Sequence, residues 1–112
     1  MDLISLASKR LQWASDRQRV ISENIANADV VGYRAQEIEG FDSYLKRAES
    51  ASTPPPAKVS EVQGVSRAAI SGNTVVLEEQ LIEANSAKGQ YRIATSLYRK
   101  AHEMIAAVVT AR

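Results

Sequence analysis

Residues 4–28 read ISLASKRLQWASDRQRVISENIANA, and their spacing decides the fold. Ile4, Ala7, Leu11, Ala14, Gln18, Ile21, Ile25 and Ala28 follow one another at intervals of 3, 4, 3, 4, 3, 4 and 3. That is an a/d heptad pattern sustained over more than three heptads, with one polar residue, Gln18, in the seam. A polar residue there sets register, or else the seam turns toward solvent at that point. Leu3, Leu6, Trp13 and Val20 widen the apolar surface, and no Pro or Gly occurs before Gly32. A helix of this extent is about 39 Å long at ~1.5 Å per residue. Gly32 falls where a left-handed C-terminal cap is expected.

A second long helix is expected over 75–111. Leu77, Leu81, Ala84, Ala87, Tyr91, Ala94, Tyr98, Ala101, Ile105 and Val108 step by 4, 3, 3, 4, 3, 4, 3, 4 and 3. The consecutive steps of 3 around Ala84 read as a stammer. Ile93, Leu97 and Met104 form a second stripe beside the first, so this helix needs more than one neighbour. Glu78, Glu79 and Glu83 come early and Lys88, Arg92, Arg99 and Lys100 late, in the order that suits the helix dipole. Gly89 costs about 1 kcal/mol in a helix interior.

Between them the character changes. Val30 to Tyr33 reads as a turn or short extended piece. Phe41 to Leu45 reads as a short helix with Phe41, Tyr44 and Leu45 on one side. Residues 50–57, with three prolines, read as a linker. Val59, Val62, Val65 and Ile70 leave room for short strands. Ser71, Gly72 and Asn73 signal a turn, and Asn73 or Thr74 is the capping candidate for the second helix.

The expected organisation is therefore an N-terminal heptad helix over 1–28, an irregular, partly flexible Pro-containing middle over 29–72, and a long C-terminal helix over 73–112. The fold class is mainly α, a coiled-coil-like pair of terminal helices flanking that middle. The helices form either an antiparallel hairpin with the middle inserted, or parts of a larger assembly. The two-sided second helix favours assembly.

Composition limits the function. Alanine contributes 17 of 112 residues and aromatics only six, so a lone chain has a thin core. The 14 basic and 13 acidic residues are spread evenly, which argues against nucleic acid as a partner. Without cysteine there are no disulfides, thiolate zinc sites or thiol catalysis. Asp2, Lys9 and Arg10 do not fit a cleavable signal, so export would leave the N-terminus intact.

No catalytic, cofactor or metal constellation is legible. His102, the single histidine, lacks ligands at helical spacing and reads as a surface or interface residue. Glu79 and Glu83 read as solvated charges. Ser5, Ser8, Ser15 and Ser22 have no histidine partner. Arg17, Arg19, Arg92, Arg99 and Lys100 read as helix-surface charges, some of them suited to pairing at a subunit interface.

Residues 24–35, NIANADVVGYRA, are similar to the N-terminal signature of bacterial flagellar rod and hook proteins. That signature is Asn-Ile-Ala-Asn, two residues, Thr, one residue, Gly-Tyr, a basic residue and Ala. Val30 stands at its Thr, and Val31 at a frequent Pro. Residues 72–78, followed by a long helix containing Gln90, Tyr91 and Arg92, resemble the small proximal members of the flagellar basal-body rod family. That family often has Asp where this chain has Val76. On the residues alone, Asn24 and Asn27 can bond nearby backbone or a neighbouring helix, Gly32 permits positive φ, and Tyr33 can cover the helix end.

The resemblance implies a structural subunit, not an enzyme, in the periplasmic rod of the flagellum basal body. It implies export, without a cleaved signal peptide, through the flagellar type III export apparatus. It implies packing into a hollow helical axial tube that transmits torque. The implied partners are other rod subunits, the basal adaptor and membrane-ring proteins, and further copies in a helical assembly, with no nucleic acid, small-molecule substrate or cofactor. The expected subunit-interface residues are Ile4, Leu11, Ala14, Ile21, Asn24, Ile25, Asn27, Ala28, Gly32, Tyr33, Leu77, Leu81, Tyr91, Ala94, Tyr98, Ile105 and Val108. The rival reading is a small helical adaptor or type III secretion chaperone. It fits the heptads and the neutral charge but leaves the signature unexplained.

Overall fold

The computed structural model describes residues 2–62 and 77–111. Helix α1 spans Leu3–Ala26 and helix α3 spans Leu77–Thr110. Between them lie strand β1 (Gln36–Ile38), helix α2 (Phe41–Ala48) and strand β2 (Val59–Glu61). The expected turn at Ser71–Asn73, the cap at Asn73 or Thr74, and Val65 and Ile70 lie outside the described residues.

Asp2 caps α1, its carboxylate accepting the Ser5 N–H at 2.7 Å. At the other end Asn27 is the cap, its backbone N–H bonding back to the Glu23 carbonyl. Gly32 is therefore not the helix cap that its position suggested. It lies five residues beyond Asn27 in a separate turn, in which the Tyr33 N–H bonds the Val30 carbonyl at 3.1 Å. Its φ is +81°, and no other residue type in the described chain has positive φ. Negative φ at Val31 followed by positive φ at Gly32 makes a type II turn.

Helices α1 and α3 run antiparallel: Asn24 meets Gln80, and Arg17 meets Gln90. Ala7, Ala14 and Ile21 are buried at seven-residue spacing on α1, and Gln80, Ala87, Ala94 and Ala101 at the same spacing on α3. Small residues let the backbones approach closely, so the alanine richness serves the pairing. The buried set changes the reading of α3. With Gln80 in the seam, buried or half-buried residues recur at 80, 84, 87, 91, 94, 98 and 101, a regular alternation of 4 and 3, with Gly89, Gln90 and Thr95 half-buried beside it. There is no stammer. It arose from taking Leu77 and Leu81 as seam residues, yet these are 46% and 49% exposed while polar Gln80 is buried.

The middle segment covers the other side of α1. Strands β1 and β2 pair antiparallel, Gln36 opposite Glu61, Glu37 opposite Ser60 and Ile38 opposite Val59. Trp13, Ala14, Tyr44, Ala48, Ala57 and Ala94 make one core, with Leu11, Ile38, Phe41 and Tyr91 at its edge. Phe41 meets the Trp13 ring edge-on at 5.6 Å. The stretch expected to be a linker is irregular in backbone but fastened. The Tyr44 hydroxyl donates to the Pro55 carbonyl at 2.7 Å, Arg47 donates to the Pro56 carbonyl at 3.0 Å, and the Ala57 N–H donates to Asp16 at 2.8 Å. The Glu39 carboxylate accepts the Lys58 N–H at 2.7 Å and an Arg47 guanidinium N–H at 2.5 Å. Trp13 Nε1 donates to the Glu39 carbonyl at 2.8 Å, tying the same residue to α1.

Candidate assembly surface

The signature residues converge on one side chain. Asn24 is 1% exposed, and all four hydrogen-bonding positions of its amide are filled. Nδ2 donates to the Gln36 carbonyl at 2.8 Å and to Gln80 Oε1 at 3.2 Å. Oδ1 accepts the Gln36 N–H at 2.9 Å and the Tyr33 hydroxyl at 3.0 Å. One amide thus pairs with the backbone of β1 as a strand residue would, while holding the other long helix. Asn27 Nδ2 donates to the Glu23 carbonyl at 2.8 Å, supplying a donor to the helix end. The type II turn at Val30–Tyr33 lets the chain double back so that Tyr33 reaches Asn24. Burial, and after it the Glu23 carboxylate, push the Tyr33 phenol above its usual value. It keeps its proton at neutral pH.

The expected interface residues fall into three groups in this conformation. Ala14, Ile21, Asn24 and Ala94 are buried within the chain's own hairpin. Ile4, Leu11, Ile25, Asn27, Ala28, Tyr33, Tyr91 and Tyr98 are half-buried. Gly32, Leu77, Leu81, Ile105 and Val108 are exposed. A contact to another subunit at the first group would require the helices to part.

The exposed apolar surface is extensive. Helix α3 is ten residues longer than α1, and from His102 onward every described residue is exposed. This projecting end carries Met104, Ile105, Val108 and Val109 at 50–63% exposure. The outer side of α3 adds Ile82 and Ile93, at 70% and 62%. At the opposite end of the hairpin stand Leu77 and Leu81. Exposed apolar residues in such number make this a candidate contact surface. Among the described residues, no helix is long and apolar enough to cross a membrane.

Sequence reasoning missed Gln80, Asp16, Glu39 and Arg47. For Gln80 a signal existed: it lies seven residues before Ala87, fourteen before Ala94 and twenty-one before Ala101. The other three act on backbone groups far along the chain, and no local pattern announces them. Burial of Arg10, with Arg17 nearby, lowers its pKa; hydrogen bonding from Arg47 first of all lowers that of Glu39. His102 is exposed on α3 and stacks edge-on against Tyr98, ring centroids 4.6 Å apart.

The family model described as flagella basal body rod protein matches residues 4–34, which cover α1 and the turn that returns Tyr33 to it. The chain is also 27% identical over 121 aligned positions to the flagellar basal body rod protein FlgB of Agrobacterium fabrum, an alignment covering 94% of this chain and 90% of that protein. In that segment, and in a likeness running over nearly its whole length, the chain is similar to flagella basal body rod proteins.

Proposed function

We propose that this chain is a structural subunit of the proximal part of the flagellar rod, packing its long helices with other rod subunits and with copies of itself into a hollow helical tube that transmits torque. The family supports a structural role in the rod and a place in the flagellum basal body. The observation that carries the reading is the projecting end of α3. Its apolar residues have no cover within the described chain, and covering them requires another subunit.

The hairpin supplies a stiff element, because the alanine seam locks two helices side by side. The projecting end and the outer face of α3 supply the surfaces by which such elements stack. Basal adaptor and membrane-ring proteins are the neighbours at the base. Export proceeds through the flagellar type III apparatus with the N-terminus retained, and the assembled chain lies in the periplasmic rod.

Deleting the gene tests this reading. The expected result is loss of flagella, with basal bodies arrested before the rod is complete. Normal basal bodies in the deletion strain would exclude it.

A further inference from the structure

Two apolar patches on this molecule each surround one charge, and the charges are opposite. The first is a groove of about 220 Å³ lined by Leu3, Leu6, Ala7, Arg10, Phe41 and Leu97. The Arg10 guanidinium lies over the rings of Phe41 and Trp13, 4.5 and 4.8 Å from their centroids. No acidic partner for Arg10 is present among the described residues. Burial lowers its pKa, which is the mark of a cation held partly out of water without a counter-ion. An incoming carboxylate would offset that cost.

The second patch is the start of α3. Leu77 and Leu81 lie one turn apart, Ile82 lies beside Leu81, and all three are exposed. At ~100° per residue Glu78 falls between Leu81 and Ile82, so a carboxylate stands inside an apolar patch. Glu78 is exposed and has no ion pair among the described residues.

We propose that the Arg10 groove of one copy receives the Leu77–Ile82 end of α3 from a second copy, with Glu78 paired to Arg10. The two patches cannot meet within one chain. Leu97 is twenty residues from Leu77, about 30 Å along the same helix. The contact is therefore head-to-tail, each copy offering a groove at one end and an acidic apolar knob at the other. Such a heterologous contact repeats without closing unless its rotation closes a ring. The apolar rims supply the burial, and the central pair sets the register. This inference deepens the rod-subunit reading and rests on it only in requiring that copies of the chain meet.

The absence of native cysteine makes the test direct. Purified full-length Leu6→Cys chain is mixed at high concentration with Leu81→Cys chain and oxidised, with Ser43→Cys replacing Leu6→Cys as control. The 6–81 disulfide dimer is expected well above the control pair. Adding Arg10→Glu to one partner, or Glu78→Arg to the other, should cut it at least tenfold, and both reversals together should restore it. Circular dichroism checks each variant; if Arg10→Glu fails to fold, Glu78→Arg at its exposed site carries the test alone. A 6–81 yield no higher than the control, or one unchanged by charge reversal, overturns the proposal. Gene deletion tests the rod role separately. Intact basal bodies with a charge-dependent cross-link sink that role and leave this contact standing, and the converse result does the opposite.

Discussion

Asn24 concentrates the residue-scale chemistry. It fills all four of its hydrogen-bonding positions while closed off from solvent, and its partners come from the turn, β1 and α3. Asn24→Ala would take a partner from the half-buried backbone N–H and carbonyl of Gln36 and from the buried Gln80 amide. We expect a loss of about 3 kcal/mol by urea denaturation, since orphaned buried polar groups cost ~1–3 kcal/mol each and partial repair is available. A loss below ~1 kcal/mol would mean that water replaces the amide. Val31 makes the opposite prediction. It occupies the second position of a type II turn, where Pro fits, and it is 89% exposed. Val31→Pro should raise stability by about 0.4–1 kcal/mol through the unfolded state. The family signature's frequent Pro at this position has the same physical basis.

At the scale of elements, α1 and α3 are held by an alanine seam and the middle segment by two carboxylates. The seam depends on small size. Ala94→Leu inserts a branched side chain where Ala14 and Trp13 already fill the space, and should cost about 1–3 kcal/mol in a thermal or urea melt. Glu39 and Asp16 accept the N–H groups of Lys58 and Ala57, so they fasten residues that composition marks as a loose linker. Glu39 is held below its ordinary value of 4.5, chiefly by its hydrogen bond from Arg47. A carboxylate with a lowered folded pKa stabilises fully above its unfolded value, and that contribution fades as pH falls through the folded value. Stability should therefore decline below about pH 4.5, and the decline should be shallower in Glu39→Gln; equal slopes in the two chains would remove Glu39 as the cause. The helices themselves were legible, because period, alanine content and the order of charges all agreed. The fastening of 50–57 was not legible, because its partners stand nine to forty-one residues away in the chain.

The whole molecule measures 65 × 26 × 16 Å, and at one end α3 runs past the start of α1. Ile105 lies on that projecting end, so Ile105→Asp should leave the melting curve and helix content unchanged while blocking incorporation into basal bodies. Ile25→Asp, at a half-buried position near the end of α1, should impair both. Incorporation of Ile105→Asp at normal levels would show that the projecting end is not a contact surface. The heptads of 4–28, the long α3 and the signature at 24–35 were determined by sequence alone, because each is a local repeat or a fixed short spacing. Which stripe of α3 turns inward was decided only by tertiary structure. A buried amide outranked two leucines because Asn24 stands opposite it, and hydrophobicity read along one helix carries no information about the partner across the interface.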